Sequence, residues 1–372
     1  MVFHMKKYRL LLCLLLITYL PVAAQQREKP WMLGPFRKEN AVNPILSPNQ
    51  SSVFFCPVRR AVVRWEEKDV FNPATVVRNG AVYMLYRAED TVGKFAGTSR
   101  LGLAVSRDGL HFRRKPRPVF YPANDAMKPY EWEGGCEDPR VVETRRGRYV
   151  MTYTAYDGDK ARLCVATSTN LTTWKKHGLA FGKSANAVYR AGWSKSGAIV
   201  CRREGSRVVA HKVNGRYWMY WGDQPDLRAA TSPDLIHWTP LETGVTPNTK
   251  PLAVATARPG TFDVRLLEPG PYALLTRAGI VLIYNGMNIA ATGDSTLPEG
   301  AYAGGQLLFA AQDPTRLLDR SATYFIRPDQ PYEQQGQINQ VVFLEGMVPF
   351  RGRWFLYYGT ADSKIGVATA PQ

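Results

Sequence analysis

Short runs of apolar and aromatic residues recur along this chain, and most alternate with polar positions instead of following a helical period. Five of these runs begin at Tyr83, Tyr149, Tyr217, Val281 and Trp354, so successive copies start 66, 68, 64 and 73 residues apart. The runs are rich in β-branched and aromatic residues and are separated by turn-forming residues, which is typical of β-strands. The pattern therefore predicts an all-β protein built from several copies of one unit.

Five evenly spaced copies indicate radial repetition of a small sheet. We predict a five-bladed β-propeller over residues 63–372, preceded by an irregular N-terminal arm over residues 25–62. Phe71–Val77 would form an innermost strand near the propeller axis. A pair of β-sandwiches is the alternative, but it does not require even spacing. In a propeller, polar residues at the ends of inner strands converge on a funnel that suits a small polar ligand.

Residues 1–24 have the pattern of a signal peptide. Basic residues at Lys6, Lys7 and Arg9 precede an apolar run, Leu10–Leu20, which is too short to span a bilayer. Small residues at Val22–Ala24 then offer a cleavage site. We therefore expect export to the periplasm or the medium, with no stable membrane insertion after cleavage. A membrane anchor is the alternative.

Charge and cysteine usage weigh against several classes of function. The formal net charge is +17, but the arginines are spread along the whole chain, so we do not predict nucleic-acid binding. The sequence after the signal peptide contains no C-x-x-C pair and no histidine cluster, so we predict neither a metal site nor a cofactor. The sequence leaves open the oligomeric state and the pairing of four cysteines, which are Cys56, Cys136, Cys164 and Cys201.

The stretch from Glu131 to Arg140 concentrates acids, glycines, a proline and an arginine. Pro139 disfavours the right-handed helical region for the residue before it, so we expect Asp138 on an extended or turn backbone at a strand end. Nearby acids would raise its pKa and Arg140 would lower it, which makes Asp138 a candidate general acid. The alternative is a solvated acidic loop with a structural Asp–Arg pair. Around Asp138 we expect a supporting shell of Glu137 and Arg140, and a rim of Glu131 and Glu133.

A second acid held by a following proline occurs at Glu268–Pro269, at an equivalent place two repeats later. Glycoside hydrolysis requires two carboxyl groups on opposite sides of the sugar, roughly 6.5–9.5 Å apart in inverting enzymes. Glu268 is therefore a candidate general base opposite Asp138. Asp223 is a further acid for the same face, and Glu204 is a third candidate that fits a surface loop better.

Several motifs together resemble glycoside hydrolase family 130, which contains β-mannoside phosphorylases and β-1,2-mannosidases on a five-bladed propeller. They are Phe71-Asn72-Pro73, Tyr86-Arg87, Gly135-Cys136-Glu137-Asp138-Pro139-Arg140, Ser194-Lys195-Ser196, Tyr220-Trp221-Gly222-Asp223 and Tyr357-Tyr358-Gly359-Thr360-Ala361-Asp362. The resemblance covers nearly the whole chain after the signal peptide. It implies that Asp138 is the general acid and acts through a sugar hydroxyl.

The resemblance also implies a glycone site for mannose. Its residues would be Asn72, Arg87, Lys195 and Asp362, with Arg140 nearby. We add Asp90 and Tyr220, which lie where polar and aromatic residues gather at strand ends.

The two activities of this family differ in what attacks the sugar. A phosphorylase grips phosphate with cations, whereas a hydrolase needs a carboxylate to deprotonate water. Glu268 resembles the glutamate of the hydrolytic members, while the neighbourhood of Asp223 departs from theirs. Export also favours hydrolysis, because a sugar phosphate gains little outside the cytosol. We therefore predict an exported inverting β-mannosidase acting on β-1,2-linked mannosides. The alternatives are a β-mannoside phosphorylase, a non-catalytic carbohydrate-binding propeller, and a glycosidase for furanosides or pentosides.

Overall fold

A computed structural model describes residues 29–95, 97–244 and 249–372. Within these residues the chain forms 28 strands and three short helices, so the predicted all-β class is confirmed. The predicted signal peptide lies outside the described residues. None of the described helices is long and apolar enough to cross a membrane.

The strands of the first half follow the predicted repeat. They are β1 (Arg37–Lys38), β2 (Phe54–Cys56), β3 (Ala61–Val63), β4 (Asp69–Arg78), β5 (Ala81–Glu89), β6 (Ser99–Ser106), β7 (Arg113–Arg114), β8 (Gly135–Glu143), β9 (Tyr149–Tyr156), β10 (Ala161–Ser168), β11 (Lys175–Leu179), β12 (Ala198–Glu204), β13 (Arg207–Ala210) and β14 (Lys212–Val213). Helix α1 (Lys128–Glu131) precedes β8, and α2 (Ala187–Ala191) precedes β12.

The second half continues in the same manner. Its strands are β15 (Arg216–Trp221), β16 (Asp226–Ser232), β17 (Thr239–Pro240), β18 (Glu242–Thr243), β19 (Lys250–Pro251), β20 (Ala253–Thr256), β21 (Leu267–Pro269), β22 (Ala273–Leu275), β23 (Ile280–Met287), β24 (Tyr302–Phe309), β25 (Leu317–Arg320), β26 (Val342–Phe350), β27 (Arg353–Thr360) and β28 (Lys364–Pro371). Helix α3 (Pro331–Gln334) precedes β26.

Most strands pair antiparallel with their neighbours in the chain. β4 to β7 form one such series and β8 to β11 another. β14 to β17, β22 to β25 and β26 to β28 repeat the arrangement. The five apolar runs of the sequence all lie in strands, namely β5, β9, β15, β23 and β27. The arrangement of these series as five blades of a propeller stays a prediction.

Residues before β4 lack long strands and pack against the first and last series. β1 pairs with β28 through Arg37 and Thr369, so the two ends of the described chain share one sheet. Phe54 and Trp65 are buried in a core cluster that includes Tyr86 of β5 and Tyr357 of β27. The aromatic residues of the strands therefore form the cores between neighbouring series. The four cysteines that the sequence left open are buried and free.

Candidate active site

Three long strands carry a β-bulge, and each bulge presents a polar side chain. The register of β4 against β5 shifts around Asn72, that of β8 against β9 around Asp138, and that of β26 against β27 around Glu345. A bulge adds one unpaired residue and redirects its side chain, and such features are common beside active sites. Asn72 and Asp138 also have positive φ angles of 46° and 44°. Backbone strain of this kind persists only where the surrounding structure enforces it.

Asp138 lies inside β8 and is buried. The expectation of a residue at a strand end was wrong in this respect, because the bulge lets β8 continue through Asp138 and Pro139. Its Oδ1 accepts hydrogen bonds from Asn72 Nδ2 at 2.9 Å and from Arg87 Nη1 at 3.1 Å. Burial raises the pKa of Asp138, but the charges of Arg87 and Lys195 and the amide of Asn72 outweigh it, so the pKa lies below its ordinary value.

Lys195 connects Asp138 with Glu268. Its Nζ lies 3.5 Å from Oδ2 of Asp138 and 3.5 Å from Oε1 of Glu268, which limits the distance between these two oxygens to at most 7.0 Å. Glu268 also accepts a short hydrogen bond from the Ser196 hydroxyl. Burial raises the pKa of Glu268, and Asp223 adds to this effect against the opposing charge of Lys195. The structure thus joins the two acids that the sequence paired.

Arg87 binds three carboxylates. Its Nη1 donates to Asp138, and its Nη2 donates to Glu89 at 2.7 Å and to Glu137 at 2.9 Å. Burial raises the pKa of Glu137 to about 7, with a further contribution from the charge of Asp138. Asp362 behaves similarly, because burial raises its pKa to about 7 although Arg87 opposes the rise. At neutral pH Glu137 and Asp362 are therefore partly protonated beside an ionised Asp138.

Arg140 forms the floor of the cluster. Its Nη2 and Nε donate to the carbonyl oxygens of Pro269 and Gly270 at 2.6 and 2.7 Å, so it holds β8 against the segment that carries Glu268. Nη1 lies 3.7 Å from Glu345, a buried acid with no described hydrogen-bond partner. Burial raises the pKa of Glu345 well above its ordinary value. Glu345 therefore has the surroundings of a neutral carboxyl group.

Asp223 lies at the open edge of the cluster. Both of its carboxylate oxygens accept from the indole Nε1 of Trp193, at 3.0 and 2.9 Å. Its charge reaches Lys195 and Glu268, since it raises the pKa of both. The cluster therefore brings together seven of the ten residues expected from the sequence, six through hydrogen bonds or ion pairs and Asp362 through the charges that act on it, and places an eighth on its rim. The seven are Asn72, Arg87, Asp138, Arg140, Lys195, Glu268 and Asp362, and the eighth is Asp223.

The structure places two expected site residues elsewhere. Asp90 accepts from Arg100 at 2.7 Å, and both side chains are fully buried in a separate ion pair. Tyr220 lies in a core cluster, where it stacks on Phe309 and donates to the carbonyl oxygen of Pro314. Both residues stand next to strand ends in the sequence, but a local pattern does not reveal which partner a side chain meets.

Two further acids do not belong to the cluster. Glu131 was expected on the rim, but it is fully buried, accepting from Tyr153 at 2.8 Å and pairing with Lys176. Glu204 ends β12, about 20 Å along that strand from Ala198 at roughly 3.3 Å per residue. It lies on the surface near Arg145, away from Lys195 and Ser196, so the cluster does not include it.

Replacing Asp90 by alanine is expected to destabilise the protein without removing activity. The change leaves the Arg100 guanidinium buried and unpaired, which costs about 3–5 kcal/mol of unfolding free energy. Urea unfolding measures this loss. Glu204→Ala is the matched control, because an exposed pair contributes about 0–1 kcal/mol. Normal stability combined with lost turnover in Asp90→Ala would instead place Asp90 in the site.

Sequence reasoning missed several members of the cluster. They are Glu89, Ser99, Ser196, Tyr302 and Glu345. Ser196 belongs to one of the motifs that carry the family resemblance, and it has a positive φ of 59°. Neither Ser196 nor Glu345 has a following proline, which was the local signal that identified Asp138 and Glu268.

Comparisons with known proteins show what this chain is similar to. The model of Glyco_hydro_130, described as beta-1,4-mannooligosaccharide phosphorylase, matches residues 38–372. A 1,2-beta-oligomannan phosphorylase from Thermoanaerobacter sp. (strain X514) is 31% identical over 83% of this chain and 92% of its own length. A solved glycosyl hydrolase from Bacteroides ovatus is 46% identical, with a TM-score of 0.88 over 93% of this chain and 97% of that one.

One more solved structure bears on the activity. Its description states that the GH130 family of mannoside phosphorylases contains glycoside hydrolases that target beta-1,2 mannosidic linkages in Candida mannan. It is 44% identical to this chain, with a TM-score of 0.88 over 92% of this chain and 98% of that one. Similar proteins thus include both phosphorylases and hydrolases.

Proposed function

The chain belongs to glycoside hydrolase family 130, whose enzymes act on mannosides, and we propose that it is an exported inverting β-mannosidase that hydrolyses β-1,2-linked mannosides. In this proposal the strand series form a five-bladed propeller, and the cluster of Asp138 and Glu268 lies in its funnel. Residues 1–24 would direct export as a signal peptide.

The observation that carries the proposal is that the cations of the cluster are already engaged. Arg87 binds three carboxylates, Lys195 lies between two, and Arg140 donates to backbone carbonyls. Phosphate requires cations that are free to grip it, and carboxylates beside it would repel its charge. Glu268 instead supplies the carboxylate that activates a water molecule.

Hydrolysis then follows from two proton transfers. Glu268 takes a proton from water, whose oxygen attacks the anomeric carbon as the glycosidic bond breaks. The leaving oxygen receives the proton of Asp138 through a sugar hydroxyl, and the product mannose has the inverted configuration. The raised pKa of Glu268 makes it a stronger base when ionised. Asp138 is ionised in the free site, so it must take up a proton before it can give one. Glu137, whose pKa is raised to about 7, is the adjacent group that can supply this proton.

The remaining residues would hold the glycone. Asn72, Arg87 and Lys195 surround Asp138 and present donors toward it. Asp362, whose pKa is raised to about 7, faces the same group of charges. Such fixed donors orient the sugar before reaction, which is a large part of catalysis.

Phosphorolysis is the second candidate, favoured by the 31% identity to a 1,2-beta-oligomannan phosphorylase. We expect β-1,2-mannobiose to yield two mannose molecules at the same rate with and without inorganic phosphate. Chromatography of the products distinguishes the two activities. Turnover that depends strictly on phosphate and yields mannose 1-phosphate would establish the second candidate.

A further inference from the structure

Trp193 is a large aromatic side chain left open to solvent beside the acid cluster. It is 46% exposed, although its indole nitrogen is fully engaged with the Asp223 carboxylate. An exposed tryptophan costs free energy because its apolar face remains in water. The polar edge of this indole is held, while a substantial part of the ring surface stays available for contact.

The backbone on both sides of this contact is fixed. Ser194, next to the indole, donates its N–H to the Ala161 carbonyl, and its hydroxyl accepts from the Leu163 N–H. On the partner segment, the N–H of Gly222 donates to the Lys195 carbonyl. Gly222 has a φ of 115°, a conformation that favours glycine, and it turns the chain so that Asp223 follows β15 at this edge. The indole is therefore held ready before any ligand binds.

The position of the indole relates directly to the two acids. Trp193 lies two residues before Lys195, whose ammonium group lies between Asp138 and Glu268. In the proposed reaction the anomeric carbon lies between Asp138 and Glu268, beside this bridge. A leaving sugar that extends from there to the open edge of the cluster would reach Trp193 and Asp223.

On the basis of the proposed function, we propose that Trp193 is the platform on which the leaving sugar stacks, and that Asp223 is a positioning residue that holds the indole. Pyranose rings have an apolar face of C–H groups that packs on an aromatic ring. A rigid aromatic side chain makes this contact at a small cost in conformational entropy. Both Asp223 oxygens accept from the indole, so this carboxylate is placed to hold the ring. Trp193 thereby determines which leaving group the enzyme accepts.

Four variants test this assignment on β-1,2-mannobiose. Trp193→Ala is expected to lower kcat/KM about tenfold, mostly through KM, from the size of one aromatic contact. Trp193→Phe keeps a ring and should lose less. Asp223→Ala should lose about as much as Trp193→Ala, whereas Asp223→Asn keeps one oxygen that accepts from the indole and should recover most of the activity. A general base would not be rescued by asparagine, so equal inactivity of Asp223→Ala and Asp223→Asn would overturn the assignment.

Two further measurements separate stacking from general damage. The inhibition constant of free mannose, which needs only the glycone site, should stay within about twofold in Trp193→Ala. The double variant Trp193→Ala/Asp223→Ala should be no worse than Trp193→Ala, because residues that act as one unit are not additive. Phe55→Ala, an exposed aromatic change on the β2–β3 hairpin, is the matched control with unchanged kcat/KM. Additive losses, or equal weakening of mannose and mannobiose, would contradict the platform.

The test remains informative if the proposed function fails. An unaltered enzyme that requires phosphate is a phosphorylase, and the same variants are then compared on phosphorolysis of mannobiose. If the unaltered protein turns over no mannoside, calorimetric binding of mannobiose and mannose replaces kinetics. Loss of mannobiose affinity alone in Trp193→Ala still supports the platform, and unchanged affinity for both sugars rejects it.

Discussion

Asp138→Asn is expected to lower kcat for β-1,2-mannobiose by about 10²–10⁴-fold, the range that one general acid contributes. Asparagine has nearly the same shape and still accepts hydrogen bonds from Asn72 or Arg87, but it has no proton to give. Steady-state kinetics on the purified protein measure the loss. Folding is checked by thermal unfolding of the same sample.

A second substrate shows whether the lost group is an acid. A 2,4-dinitrophenyl β-mannoside releases a stable anion that needs no protonation, so Asp138→Asn should lose far less rate on it than on mannobiose. Equal losses on both substrates would assign Asp138 to binding the glycone, alongside Arg87 and Lys195, and would remove its role as proton donor.

Glu268→Gln is expected to lower hydrolysis by a similar factor of about 10²–10⁴, since glutamine cannot deprotonate water. Glutamine keeps an oxygen for the Ser196 hydroxyl, so the local structure is largely retained. Azide is a nucleophile that needs no base. Its addition should restore turnover and yield α-mannosyl azide, the product of attack on the face opposite the leaving group.

The same experiment distinguishes the alternatives for the base. Glu204→Gln, which changes an exposed acid away from the cluster, should hydrolyse mannobiose at the normal rate. Near-normal hydrolysis by Glu268→Gln would eliminate it as the base. Lost activity without azide rescue would point to a role of Glu268 in holding Lys195 between the two acids.

The rule of an acid before a proline located Asp138 and Glu268, because proline restricts the backbone of its neighbour wherever the fold places it. The same local reasoning placed Asp90 and Tyr220 in the site, where the structure shows an ion pair with Arg100 and a core contact with Phe309. A polar or aromatic side chain at a strand end can point to either face of the sheet and can meet several neighbouring residues. The packing of the sheets decides which of these contacts forms.

The electrostatics of Asp138 were likewise beyond a local argument. Adjacent residues suggested opposed effects on its pKa, whereas the decisive charges are Arg87 in β5 and Lys195 in the segment before β12. Asn72 reaches Asp138 across 66 positions of sequence and Arg87 across 51. A pKa depends on distances of a few ångströms, and the spacing of residues along a chain does not contain those distances.

The sequence by itself determined the all-β class, the strand in each of five apolar runs, and the two proline-held acids, because alternation and proline act through the local backbone. The tertiary structure alone decided that Lys195 joins these acids, that Asp138 is ionised beside a Glu137 whose pKa is raised, and that Asp223 holds Trp193 at the open edge. Bulges in three separate strands bring the site together, and their meeting is a property of sheet packing.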